Sequence, residues 1–259
     1  MKLLRLSAQE DVPLHQVQAI LRTDAAFSAE VLRSANSALT GLRTEVQSVA
    51  HAVEVLGLDQ IRALSITVAL RDILPNLKAD SFLQQCWKYN LATAILAEWL
   101  GHGLPLAADA CYTAGLVHDI GRLAILRAYP DTYERAVALI EDYDFDLLRC
   151  EKDAFDIDHC EAGAWLMDHW GFPPVLRHAA AHHHLEPTPE TPLLIIVVHS
   201  AWQMADMLGL SPMATRSSVT IEELAANFPE QARQRIFAGL DDLPALVWQR
   251  LASAELVTG

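Results

Sequence analysis

The chain has 259 residues, with 33 Asp and Glu against 19 Lys and Arg, a formal net charge of −14; 52% of residues are hydrophobic and 20% charged. That is too apolar for a disordered chain, and the length suits one large domain or two modest ones. The longest aliphatic run, Leu193–Val198, is far shorter than the roughly 20 residues of a membrane span, and no apolar stretch of signal-peptide length follows Met1.

The four cysteines, Cys86, Cys111, Cys150 and Cys160, form no C-x-x-C pair, which suits reduced thiols and a cytoplasmic protein with no membrane contact. Charge is uneven. Residues 1–78 carry eight basic and eight acidic side chains, so the whole excess of acid lies in residues 79–259. An acidic surface repels a polyanion, so nucleic acid is not the expected partner. Arg22, Arg33, Arg43, Arg62 and Arg71 leave a nucleic-acid-linked regulator as a third reading.

In chain order the pattern is helical nearly throughout. Leu14, Val17, Ile20 and Leu21 repeat at helical spacing, as do Val49, Ala52, Val53 and Leu56, with Gly57 as a stop. A helix from near Asp59 to Leu74 breaks at Pro75-Asn76. Asp80 or Ser81 caps the next, which sets Phe82, Cys86, Tyr89, Thr93 and Leu96 on one stripe. Further breaks fall at Gly101–Pro105, Pro130, Gly171–Pro174 and Pro187–Pro192. Leu193–Val198 has the composition of a buried strand, but its continuation through Ala201, Ala205 and Leu208 favours a long buried helix. Past Gly209–Thr220, an apolar tail is able to dock on the body or on another chain. The expected fold class is all-α.

Two places concentrate potential ligands. His118-Asp119 sits in an apolar run between Gly115 and Gly121. Adjacent helical residues point about 100° apart, so the pair shares an ion only if a cleft lets both reach inward. The glycines mark either close helix approach or a bend. Further on, Asp156 or Asp158 is the N-cap that places His159 in a first helical turn, and His182-His183-His184 follows. Imidazoles with an aspartate suit a divalent transition metal by ligand type. The plainer readings are hydrogen-bonded core residues at His118-Asp119, and a solvated helix end for two of the three consecutive histidines.

In order, Ile20–Ser28, Val31–Ser37, Ala52–Gly57, Trp87, Ala114–Gly121, Asp158–Gly163, Trp170–Pro173 and the histidine cluster resemble an HDOD domain, the HD-related output domain of bacterial signalling proteins. The resemblance covers about residues 1–210. It implies a compact multi-helix fold: an N-terminal helical subdomain (1–78) packed on an HD-like helical bundle (79–210), followed by a C-terminal helical tail (211–259). Among HD-superfamily phosphohydrolases the resemblance implies a ligand set of a histidine, a His-Asp pair and a later aspartate. The pair matches His118-Asp119. The first histidine falls at Asn90 and the last aspartate at Trp202, with Asp206 one turn further on. His159 and one of His183 or His184 resemble added ligands of the cyclic-di-GMP phosphodiesterase branch.

An Asn amide is a poor ligand and an indole N–H has no lone pair to give. The expectation is therefore no catalytic residue and no fully occupied metal, with weak divalent binding through His118, Asp119, His159 and His183 as a vestige. The expected function is a non-catalytic signalling module that binds a protein partner or a small ligand such as a cyclic dinucleotide. The alternative is a metal-dependent phosphohydrolase acting on nucleotides or cyclic dinucleotides.

Overall fold

A computed structural model of the chain describes residues 82–143, 146–170, 172–213, 219–237 and 239–258, together with 28, 31, 32, 34, 35, 46, 48–57, 60, 61 and 64. The chain divides into two compact units, Met1–Asn76 and Leu77–Gly259. In the first, Val31, Ala35, Val46, Ala52, Val53 and Ile61 form a buried apolar cluster. Residues 49–57 are helical, and Gly57 ends that run at φ +75°, a conformation that glycine adopts without steric cost. The expected Leu14–Leu21 helix, the break at Pro75–Ala79, the Asp80 or Ser81 cap and the five arginines lie outside the described residues.

The second unit is helical, with no strand among its described residues: α1 (Phe82–His102), α2 (Ala108–Val117), α3 (Ile120–Ala128), α4 (Pro130–Tyr143), α5 (Leu147–Phe155), α6 (His159–His169), α7 (Pro174–His182), α8 (Leu193–Met207), α9 (Ile221–Ala226), α10 (Glu230–Ile236) and α11 (Leu243–Thr258). The protein is all-α, and none of its described helices is long and apolar enough to cross a membrane. Helix α1 is central. Every residue from Tyr89 to Ala97 is buried, because α2, α8, α10 and α11 cover it from several sides.

Glycines set the closest crossings. A Cβ on Gly115 would lie 2.8 Å from the Thr93 carbonyl oxygen, so α2 runs directly over α1. A Cβ on Gly121 would lie 1.9 Å from the His159 carbonyl oxygen and 2.5 Å from the Gly163 nitrogen, so α3 and α6 meet backbone to backbone. Both glycines therefore serve close approach. The bend falls between them, at His118-Asp119, where α2 ends and α3 begins.

Asp158 is the N-cap of α6, accepting from the Glu161 N–H at 2.8 Å, while Asp156 closes α5 in the left-handed region at φ 60°. The run from Leu193 is helical, as its continuation past Val198 implied. It stops in a Schellman motif: Leu210 N–H bonds to Ala205 C=O at 3.1 Å, and Gly209 N–H to Asp206 C=O at 2.9 Å. The C-terminal helices dock on the body. Val247 and Leu251 are fully buried, Arg250 pairs with Glu98 of α1, and Ile236 packs against Gly103.

Candidate metal centre

The break between α2 and α3 turns two adjacent residues into one buried site. His118 keeps αR geometry (φ −54°, ψ −39°) as the C-cap of α2, and Asp119 departs from it (φ −111°, ψ 28°) as the N-cap of α3. The first turn of α6 brings His159. The end of α7 brings His183 and His184. His118, His159 and His183 are fully buried and Asp119 nearly so. The His118 and His183 rings are 4.9 Å apart, His159 and His183 5.3 Å, and His159 Nε2 lies 3.7 Å from Asp119 Oδ1. All four expected vestigial ligands thus converge.

Hydrogen bonds fix which nitrogen each ring presents. A carbonyl only accepts, so His118 Nδ1–H donates to Gly115 C=O at 2.7 Å and His183 Nδ1–H to Ala180 C=O at 3.0 Å. Their Nε2 lone pairs are buried and without a partner. An imidazole anchored through Nδ1 with Nε2 free is the arrangement that outer-sphere carbonyls impose on metal-binding histidines. Burial pushes His118 down to about 4 and His183 well below its ordinary range, so both rings are neutral and able to ligate.

His159 differs. Burial opposes its charge, but the Asp119 and Glu151 carboxylates outweigh that and hold it up to about 10. Glu151 Oε2 accepts from His159 Nδ1 at 2.6 Å and from its backbone N–H at 2.8 Å, and Tyr133 donates to the other carboxylate oxygen. The His159 Nε2–H then donates to His184 Nε2 at 2.9 Å, because burial and the nearby His159 charge keep His184 neutral. Arg122, also buried, places Nε 2.7 Å from Asp119 Oδ2. Two cations, Arg122 and His159, therefore balance two carboxylates, Asp119 and Glu151, inside the core.

Four participants fall outside the residues singled out from the sequence: Arg122, Glu151, Cys160 and, as a definite member, His184. Of the three consecutive histidines, His183 is fully buried, while His182 and His184 are both half-buried; His184 nevertheless faces His159, so the solvated-helix-end reading expected for two of them does not describe His184. Glu151 had a legible signal, a carboxylate spaced i−4, i−3 and i+4 from Leu147, Leu148 and Phe155 on an apolar stripe.

Asn90 is fully buried and donates Nδ2–H to Leu116 C=O at 3.2 Å. The Trp202 indole lies 4.5 Å from the His184 ring and 6.1 Å from His183, centroid to centroid. Asp206 turns instead to the Tyr89 hydroxyl, and burial lifts its carboxyl to about 6. The His118 and His183 imidazoles fit a divalent transition metal by type and by their free Nε2 lone pairs, whereas His159 would have to give up its Nε2 proton to join them. His118, Asp119, His159 and His183 would hold it, and a bound ion would supply Lewis acidity and an activated water.

A family model described as the HDOD domain matches residues 1–186. Among solved structures, an HDOD domain protein of unknown function from Geobacter sulfurreducens superposes with a TM-score of 0.72 at 23% identity, covering 99% of this chain and 88% of that one. A Shewanella amazonensis SB2B protein named as a candidate phosphohydrolase gives 0.69 at 25% identity, covering 99% and 89%. The chain is also 26% identical over 218 residues to an uncharacterized protein of Treponema pallidum (strain Nichols), covering 82% of this chain but spanning only 42% of that relative.

Proposed function

The chain belongs to the HDOD family, and from that premise we propose that it is a non-catalytic signal-transduction module acting through a protein partner or a small ligand. The observation that carries this reading is the Trp202 indole against His184. It stands where the resemblance places the last carboxylate ligand, and it offers no electron pair. Two further features support it. Asn90 spends its amide on a backbone carbonyl, and Arg122 already neutralises the Asp119 carboxylate that a catalytic ion would need. A hydrolytic centre must grip its ion and keep a position open for water; an indole and a guanidinium serve neither end.

The experiment is a phosphodiesterase and phosphomonoesterase assay on the full chain with Mn, Fe or Zn supplied, using cyclic dinucleotides and nucleoside phosphates. The expected result is no turnover above the rate with His118→Ala. Turnover abolished by His118→Ala would overturn the reading in favour of a metal-dependent phosphohydrolase. That second reading is favoured by the partnerless Nε2 atoms of His118 and His183.

A further inference from the structure

We propose that His178 and His182, on the outward face of α7, form a two-imidazole chelate for a late divalent transition cation such as nickel, copper or zinc. Residues four apart on a helix stand one above the other on a single face. The opposite face of α7 is spent on packing. Leu176, Ala179 and Ala180 are buried there, and the Ala180 Cβ lies 3.3 Å from where a Cβ on Gly163 would stand. That leaves His178 exposed and His182 half-buried. Their ring centroids are 4.9 Å apart. Two imidazoles on one ion, with metal–nitrogen bonds of about 2.0–2.1 Å, have centroids roughly 4.5–5.2 Å apart.

The hydrogen bonding fits the same role. A carbonyl only accepts, so His182 Nδ1–H donates to His178 C=O at 3.0 Å, which leaves the lone pair of the neutral tautomer on Nε2. The two rings stand at 77° to each other. His178 is exposed, so rotation about its side-chain bonds turns a ring nitrogen towards that Nε2 and closes the chelate. His182 lies in the last turn of α7, where the helix dipole favours a cation. Imidazole selects late transition ions over hard, oxygen-seeking ones. Two protein donors leave the rest of the sphere to water. The ion then braces the turn that runs into His183 and His184 without sharing a donor with the buried centre. The inference goes beyond the signalling reading and stands whichever way the turnover assay falls.

The test is nickel(II) titration of the full, chelator-treated chain at neutral pH, followed by calorimetry and by NMR of the histidine ring protons. The expected result is a binding event that broadens the His178 and His182 ring signals together. His178→Ala and His182→Ala should each weaken that event at least about tenfold, because the remaining donor has lost its intramolecular partner. The double variant should bind little more weakly than either single one. His118→Ala and His169→Ala should keep the event. His178→Ala, at an exposed position, carries the test if His182→Ala does not fold. Absence of the event in the wild-type chain overturns the proposal, as does unchanged binding in His178→Ala. An ion that broadens only one of the two rings, or loss of the event in a folded His118→Ala, overturns it as well.

Discussion

Glu151 grips His159 twice, once through the imidazole Nδ1–H at 2.6 Å and once through the backbone N–H at 2.8 Å, so the ring and the start of α6 hang on one carboxylate. Glu151→Gln keeps the shape but replaces a charge-assisted acceptor by a neutral one. Hydrogen bonds to charged groups contribute about 1.5–3 kcal/mol, and a loss of that order is expected in urea unfolding. With one of its two carboxylates gone, His159 should also titrate at lower pH, which NMR of its ring protons would show.

The metal-free chain should be most stable near pH 6.5. His159 is raised from 6.5 to about 10, so its contribution is complete below 6.5 and is lost as pH climbs towards 10. His118 is lowered to about 4, and His183 and His184 are lowered too. The unfolded chain therefore takes up protons first, and stability falls as pH drops from 6.5 towards 4. Asp206, raised to about 6 by burial, works in the opposite sense over that acid range, one group against three. Urea midpoints at pH 5, 6.5 and 9 check the shape; a midpoint rising steadily to pH 9 would contradict it.

Removing one partner of a buried ion pair costs about 3–5 kcal/mol, because the other charge stays behind without solvent. Arg122→Met should therefore be severely destabilising, stranding Asp119 with almost no exposure. Adding Asp119→Asn should recover part of the loss. A double-mutant cycle is expected to give a coupling above about 1 kcal/mol; strict additivity would show that the two charges act independently.

Two glycines separate crowding from backbone conformation. Gly121→Ala puts a methyl group 1.9 Å from the His159 carbonyl oxygen, so α3 and α6 must part, and a cost of about 3 kcal/mol or more is expected. Gly209→Ala meets nothing within 4 Å, and its strain comes only from φ +71°, so a cost of about 1 kcal/mol is expected. Denaturant midpoints of the two variants provide the comparison.

Much of this was legible because helical periodicity and punctuation are local. The α1 stripe from Phe82 to Leu96, the α6 start at His159 and the α8 run past Val198 all follow from residues a few positions apart. The Asp156 or Asp158 ambiguity was also local, and backbone conformation resolved it: Asp156 turns left-handed to end one helix, and Asp158 caps the next. The site was only half legible. His118 and Asp119 announce themselves as a pair, but Cys160 passes as one of four scattered thiols until α7 folds back and sets His183 beside it. Arg122 looks like a solvent-facing helix residue until the core closes over it. These are facts of tertiary proximity, and no short window of sequence contains them.

Because α3 and α6 touch main chain to main chain at Gly121 and Gly163, the height of His159 relative to Asp119 is gauged by peptide groups rather than by side chains. Exchanges among the surrounding leucines, isoleucines and valines are therefore free to change the melting point while leaving that gap as it is. The imidazole and the carboxylate keep their separation as the packing around them drifts.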